Sequence, residues 1–436
     1  MEEIKTITVE KPKWLLERGL NEQVFCEEFL FRYPMKFCGG SFYGLDGWIS
    51  EDKVKRLIFG QIHQFVIRNI AKVTNQLLEA LRISCMAEEL PIQETRIHCR
   101  NGTYNLMEDE LISKKEICRC RLPVNFNRSC PEPKQWLKFL SELLYEEDIL
   151  TLQEFVGYCL LPVNFAQRML LIIGNGGEGK SRIGIVLSAM MGQYMVNGSL
   201  AKVESSPFAR ADLQNRLLLV DDDLRLEALA TTNYIKSIVT AEQPMDLEKK
   251  GQQSYQAMLY CRIMAFGNGN LRSLHDRSHG FFRRQIILTT KPLDPKRVDD
   301  PFLAKRIIRD ELEGVLMWAM EGLMRLLGNN FQITVSQRAR ENVRVAIAEG
   351  NNVPEFLDST GYIRKDPAGT ISSRRLYQLY RDWCMDNEVM SLPSKSFSSY
   401  LIANCFPLDI TYTNTIPAGG GKLVRGFRGI RAVDSY

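Results

Sequence analysis

Residues 169–181 narrow the possible folds more than any other part of the chain. An apolar run, MLLII at 169–173, leads directly into Gly174-Asn175-Gly176-Gly177-Glu178-Gly179-Lys180-Ser181. Ile183, Val186, Leu187 and Met190 then recur at helical spacing. A strand, a glycine-rich turn and a helix in that order begin a βαβ unit, so the segment belongs to a parallel sheet covered by helices. Glycines let backbone N–H groups curl around phosphates, which also gain from the positive end of the following helix. In this G-x4-G-K-S pattern Lys180 reaches the β- and γ-phosphates of a nucleotide, and Ser181 offers its hydroxyl to Mg²⁺.

Such a site needs acid for the metal and for the attacking water. The run RLLLVDDD at 216–223 supplies it, with apolar residues marking a buried strand and carboxylates at its end. Asp221 is assigned to the Mg²⁺ shell and Asp222 to polarising the water. Asp223 is a substitute for either, because the triple Asp leaves the register open by one. A third apolar strand, 261–266, ends in Gly267-Asn268. An Asn at a strand tip beside phosphates orients water or senses the γ-phosphate; Asn in Gly-Asn-Gly-Asn equally suits a left-handed turn. Next, DRSHGFFRR at 276–284 places Arg283 and Arg284 at the start of a strand over 285–288. Paired arginines are ordinarily solvated surface, but in ring ATPases one such residue crosses a subunit boundary to stabilise transition-state charge.

At 436 residues the chain exceeds what one hydrophobic core organises, and two to four domains of about 100–200 residues each are expected. With 45% hydrophobic residues and no apolar run long enough to span a bilayer, a membrane protein is not expected. The charged first twenty residues lack a secretory signal, so the cytoplasm, that of a bacterial host, is the expected location. The net charge of +4 permits a nucleic-acid partner without requiring one. Eleven cysteines in a reducing compartment read as buried thiols. The cluster Cys99, Cys118, Cys120 and Cys130, beside His98, lacks the C-x2-C knuckles that usually wrap zinc.

Outside the α/β core, residues 42–49 read as a hairpin around Asp46-Gly47, and Asn101-Gly102 reads as the turn of another. Apolar spacing predicts two helices, or one broken one, over 52–88, an irregular linker at 122–134, and two helices ending before Pro162. After residue 350, helices and two strand candidates, 409–413 and 422–430, suggest a winged-helix module. There Arg374, Arg375, Lys395, Lys422, Arg425, Arg428 and Arg431 alternate with Tyr377, Tyr380, Phe397 and Phe427, a mixture suited to clamping DNA or to a plain basic rim.

The order of phosphate loop, acidic strand, strand ending in Asn and Arg-Arg within 174–284 resembles superfamily 3 helicases. It is most similar to the helicase portion of phage, plasmid and poxvirus-type primase-helicases, especially through FGNGNLRSLHDRSHGFFRRQI and the collar-like LQEFVGYCLL. The resemblance implies an α/β, AAA+-like P-loop ATPase with a parallel sheet at 166–348. Before it come an N-terminal α+β leader (1–133) and a helical collar (134–165), and a winged-helix-like domain (349–436) follows.

It further implies a homohexameric ring that hydrolyses ATP with Mg²⁺ between subunits and moves 3′ to 5′ on single-stranded DNA. Lys180, Ser181, Asp221, Asp222 and Asn268 would come from one subunit, and Arg283 or Arg284 would reach the neighbour's γ-phosphate. Lys249 and Lys250 fall where this family builds its pore hairpin and are the candidates for gripping the DNA backbone; by themselves paired lysines suit a solvated turn. Two departures stand out. The acidic motif ends in Asp where many relatives have Glu, and the residues before the ATPase leave no room for a catalytic primase domain. The function expected is therefore a replicative helicase of a phage or mobile element, working alone or with a separate primase or loader on forked DNA. The alternatives are an origin-binding initiator that melts DNA locally and a protein-remodelling ring ATPase.

Overall fold

The computed structural model describes residues 11–90, 94–224, 231–249, 251, 253–269, 279–295, 297, 299–350, 352–387, 389, 391–418 and 422–433. They fall into two compact units, the first running to Val343 and the second from Arg344 onward.

The first unit is built on a five-stranded sheet: β1 (Met169–Gly174), β2 (Met195–Asn197), β3 (Leu218–Leu224), β4 (Arg262–Asn268) and β5 (Gln285–Thr289). The spatial order is β5-β1-β4-β3-β2 and every pairing is parallel. The five apolar residues opening β1 are all buried, as a strand covered on both faces requires. The expected α/β class with a parallel sheet is therefore what forms. Parallel pairing puts the carboxyl ends of β1, β3 and β4 along one edge, where ligands of such sheets bind.

Two details of register shape that edge. Asn268 pairs with Gly174, so the last residue of β4 stands beside the first residue of the phosphate loop. Between β4 and β3, Ala265 pairs with Asp221 and Gly267 with Leu224. Asp222 and Asp223 therefore share the single partner Phe266, a β-bulge of the sort that re-aims side chains beside active sites.

Below the sheet, the helices Lys134–Leu143 and Glu146–Tyr158 pack with Leu312–Gly328 into one core with it. Contact is close because Gly157 and Gly322 lie at the crossing. A Cβ on Gly157 would fall 2.4 Å from the Ala319 carbonyl oxygen, and one on Gly322 would fall 2.3 Å from that of Gln153. Of the expected 122–134 linker, residues 122–133 have neither helix nor strand and Lys134 begins a helix, yet Leu122, Val124 and Phe126 are buried in this core.

Nearer the N-terminus are two small antiparallel sheets and the helices Glu22–Arg32, Glu51–Ile62 and Ile70–Ser84. The hairpin over 42–49 forms, but Gly44 pairs with Gly47, so Leu45-Asp46 make its turn and Gly47 opens the next strand, a correction to the expected Asp46-Gly47 turn. The second hairpin departs from the expected turn in the same way. Cys99 pairs with Gly102, so Arg100-Asn101 make the turn and Gly102 opens the next strand. Glycine is needed there for approach, since a Cβ would sit 2.4 Å from the Ile112 carbonyl oxygen.

The second unit places the helices Ser373–Asp386 and Ser394–Ala403 with a sheet ordered Ile363–Ser372, Lys422–Ala432, Thr411–Ala418. Its first strand was not legible because Pro367 and Gly369 interrupt it; both lie where the register shifts between Asp366 and Thr370. The aromatic half of the expected clamp is core instead. Tyr380, Phe397 and Phe427 are wholly buried, and Tyr380 stacks on Phe397 at 4.5 Å. Arg374, Arg375, Lys395, Lys422, Arg425 and Arg428 are exposed, whereas Arg431 pairs with Asp366 at 3.0 Å.

Candidate active site

The turn after β1 bends because Gly176, Gly177 and Gly179 adopt φ of 102°, 83° and 95°, a region that side chains disfavour. Gly174 serves a different purpose. A Cβ there would lie 2.5 Å from Thr290 Oγ1 and 2.8 Å from Lys180 Nζ, closing the cradle. Lys180 is 6% exposed and donates to Glu178 Oε2 at 2.8 Å and to Asn268 Oδ1 at 3.0 Å. The Glu178 carboxylate also accepts the backbone N–H groups of Asn175 and Gly176, at 2.5 and 3.0 Å. Burial works to raise this carboxyl, but the bonds from Lys180 and the loop backbone outweigh it and hold the group below the usual carboxylate range. Ser181 is exposed at the start of the helix Ser181–Met191. Convergent N–H groups, a lysine and a helix N-terminus form a cradle that fits nucleotide phosphates.

The three aspartates at the end of β3 differ from one another. Asp221 is 6% exposed, and its carboxylate accepts the Leu200 N–H at 2.7 Å and the Asp223 N–H at 3.3 Å. Burial raises its pKa, with the adjacent Asp223 and Asp222 adding to the effect. Asp222 and Asp223 are exposed on the bulge. Oxygen donors from Ser181 and these carboxylates suit Mg²⁺. Among the described residues, no group of three or more His, Cys, Asp or Glu is arranged to hold a metal ion, the cluster around Cys99 included. Cys99, Cys118 and Cys120 are buried, and burial pushes the Cys99 thiol up to about 12.

Arg283 and Arg284 stand apart from this group. They immediately precede β5, at the amino edge of the sheet, about 15–20 Å from the phosphate loop by strand length. Arg283 is exposed, while Arg284 is half-buried and donates to the Gly280 carbonyl at 2.5 Å. Arg168, just before β1, donates to the Arg283 carbonyl and completes a group of three guanidiniums. Burial and then the charge of Arg283 lower the pKa of both Arg168 and Arg284. Sequence reading missed Arg168 because a lone arginine before a strand carries no pattern; only the pairing of β1 with β5 brings it to Arg283.

The segment after β3 contains the two-stranded hairpin Met245–Leu247 and Tyr255–Ala257. Lys249 lies in its connection, with Nζ 5.1 Å from the centre of the Tyr255 ring, and burial lowers its pKa. Lys250 lies outside the described residues.

Known proteins match this chain in parts. Residues 38–142 match a family described as D5 N terminal like, and residues 172–284 match a family of unknown function, DUF5906. No curated protein matches. Among solved structures, the A form apo structure of the NrS-1 C terminal region (305–718) is 12% identical with a TM-score of 0.53, covering 94% of this chain and all of that one. A second A form apo structure of the same region is 12% identical with a TM-score of 0.50, covering 92% and 98%. The chain thus shares its fold with that region. The D5 N terminal like match over residues 38–142 bears out the resemblance to phage-type primase-helicases and points to a replication-related protein. Among the described residues, no helix is long and apolar enough to cross a membrane.

Proposed function

We propose that the chain is the ATP-hydrolysing helicase of a phage or mobile element, a superfamily 3, AAA+-type motor working as a homohexameric ring in a bacterial cytoplasm. The observation that carries this reading is the meeting of Lys180 with Asn268 at 3.0 Å beside the acidic bulge, residues from three strands converging on one loop. The loop N–H groups and Lys180 would bind and orient the triphosphate, and Asn268 would hold Lys180 and the attacking water in line. Ser181 and Asp221 would hold Mg²⁺, with Asp222 or Asp223 taking the water's proton. The metal, when bound, offsets charge between the phosphates.

Since Arg283 lies a strand length from the loop of its own chain, it would act on the next subunit, as in a ring that fires between protomers. Lys249, in the connection of a hairpin of the same unit, and Lys250, next to it in sequence, would grip a single strand in the central channel, with 3′ to 5′ movement. The helices at 134–158 would form the collar. The second unit would be a winged helix whose exposed arginines and lysines bind duplex DNA, and this basic surface also favours an origin-binding initiator as the second reading. Strand displacement on forks carrying a 3′ or a 5′ tail, with ATP and Mg²⁺, tests the proposal. Unwinding that needs the 3′ tail and disappears in Lys180→Ala supports it; ATP hydrolysis with no fork opened supports the initiator.

A further inference from the structure

The loop at 174–181 has an acid of its own inside it. Glu178 is 3% exposed, in a turn of glycines where a charged side chain could as easily extend into water. Its two carboxylate oxygens instead take the N–H groups of Asn175 and Gly176 and a proton of the Lys180 ammonium. These are the donors that a phosphate group in this cradle would use. An ionised carboxylate with this donor set has the charge sign and hydrogen-bonding pattern of a phosphate edge. The backbone of Glu178 is itself anchored, its carbonyl accepting from Arg297 Nη1 at 2.7 Å.

We propose that Glu178 is a built-in competitor for polyphosphate anions: its carboxylate holds the donors that the phosphates need and is displaced when a nucleotide binds. This rests on the reading of the loop as a nucleotide site and deepens it. Binding exchanges one anion for another within the same donor set, so the observed affinity is the intrinsic one reduced by the share of molecules in which the loop is open. Return of the carboxylate to Asn175, Gly176 and Lys180 also works against the product, speeding release of the diphosphate.

The test is equilibrium and stopped-flow binding of ADP and of inorganic pyrophosphate, which has no base or sugar, to the full chain and to Glu178→Gln, Glu178→Ala and Lys180→Ala. Circular dichroism checks that each variant is folded. Glutamine keeps the shape but loses the charge that pairs with Lys180. Both Glu178 variants should bind ADP and pyrophosphate about 10-fold more tightly than the wild type, most of the change appearing as slower dissociation, while Lys180→Ala binds neither. Binding by both Glu178 variants that is equal to or weaker than wild type, with the Lys180 dependence intact, overturns the competitor and makes Glu178 a brace for the loop. Indifference of ADP and pyrophosphate binding to Lys180→Ala removes the phosphate-loop reading and this proposal with it.

Discussion

At the carboxyl edge of the central sheet Lys180 is buried and held twice, by Glu178 and Asn268, whereas at the amino edge Arg283 is exposed and Arg168 and Arg284 reach only backbone carbonyls. The first edge neutralises its charge within the chain. At the second, three guanidiniums crowd together, burial and then the charge of Arg283 lower the pKa of Arg168 and Arg284, and the Glu242 carboxylate offsets this in part at Arg284. Charges of one sign gathered with so little counter-charge cost stability, a cost that an anion from outside would offset. The contrast teaches that the two edges differ in how their charge is met, and under the proposed function the carboxyl edge would receive a ligand while the amino edge would meet one held by another subunit.

The largest expected effect lies on the carboxyl edge. Lys180→Ala should lower ATP turnover roughly 10³-fold, with little change in thermal midpoint, as measured by phosphate release and calorimetry. Next, Arg283→Ala should lower turnover about 10²-fold while leaving nucleotide affinity near wild type. Mixing it with Lys180→Ala subunits should restore activity, since each variant supplies the edge that the other lacks. Mixtures as inactive as their components would break the division of labour between the edges.

Of intermediate size, replacing both Lys249 and Lys250 by Ala should weaken single-stranded DNA binding about 10-fold and flatten its salt dependence by one to two units, with basal hydrolysis retained. Fluorescence anisotropy across a salt series reads both quantities. The smallest effect concerns Asp221, whose carboxyl titrates higher folded than its ordinary 3.8. In the pH interval between the unfolded and folded values the unfolded chain binds fewer protons, so this group's contribution to stability falls as pH rises through it. Asp221→Asn, which keeps an acceptor for the Leu200 N–H, should raise the thermal midpoint by about 2 °C at pH 7, and the gain should vanish below about pH 4. A midpoint that drops instead would show that the carboxylate is needed as the cap of the helix Leu200–Ser205.

How far each feature was legible follows from how local its cause is. The loop at 174–181, the strands that lead to it and to Asp221, and the amphipathic helices all declare themselves through glycine positions, apolar runs and spacing within a dozen residues. The turn at Arg100-Asn101 did not, because Gly102 answers to Ile112 on the neighbouring strand and not to its own backbone. Tyr380, Phe397 and Phe427 look the same in a sequence whether they face DNA or each other; burial in a shared core separated the two.

What the amino-acid order determined on its own is the local frame of the candidate site, a glycine-rich loop between an apolar strand and a helix, since backbone freedom and hydrophobic periodicity are properties of neighbouring residues. Only the tertiary structure decided who shares that site. Asn268 meets Lys180, Arg168 meets Arg283, and two of three aspartates are lifted onto a bulge through the register of parallel strands far apart in the chain. Register follows from how the whole sheet packs against its helices, and no window of sequence contains it.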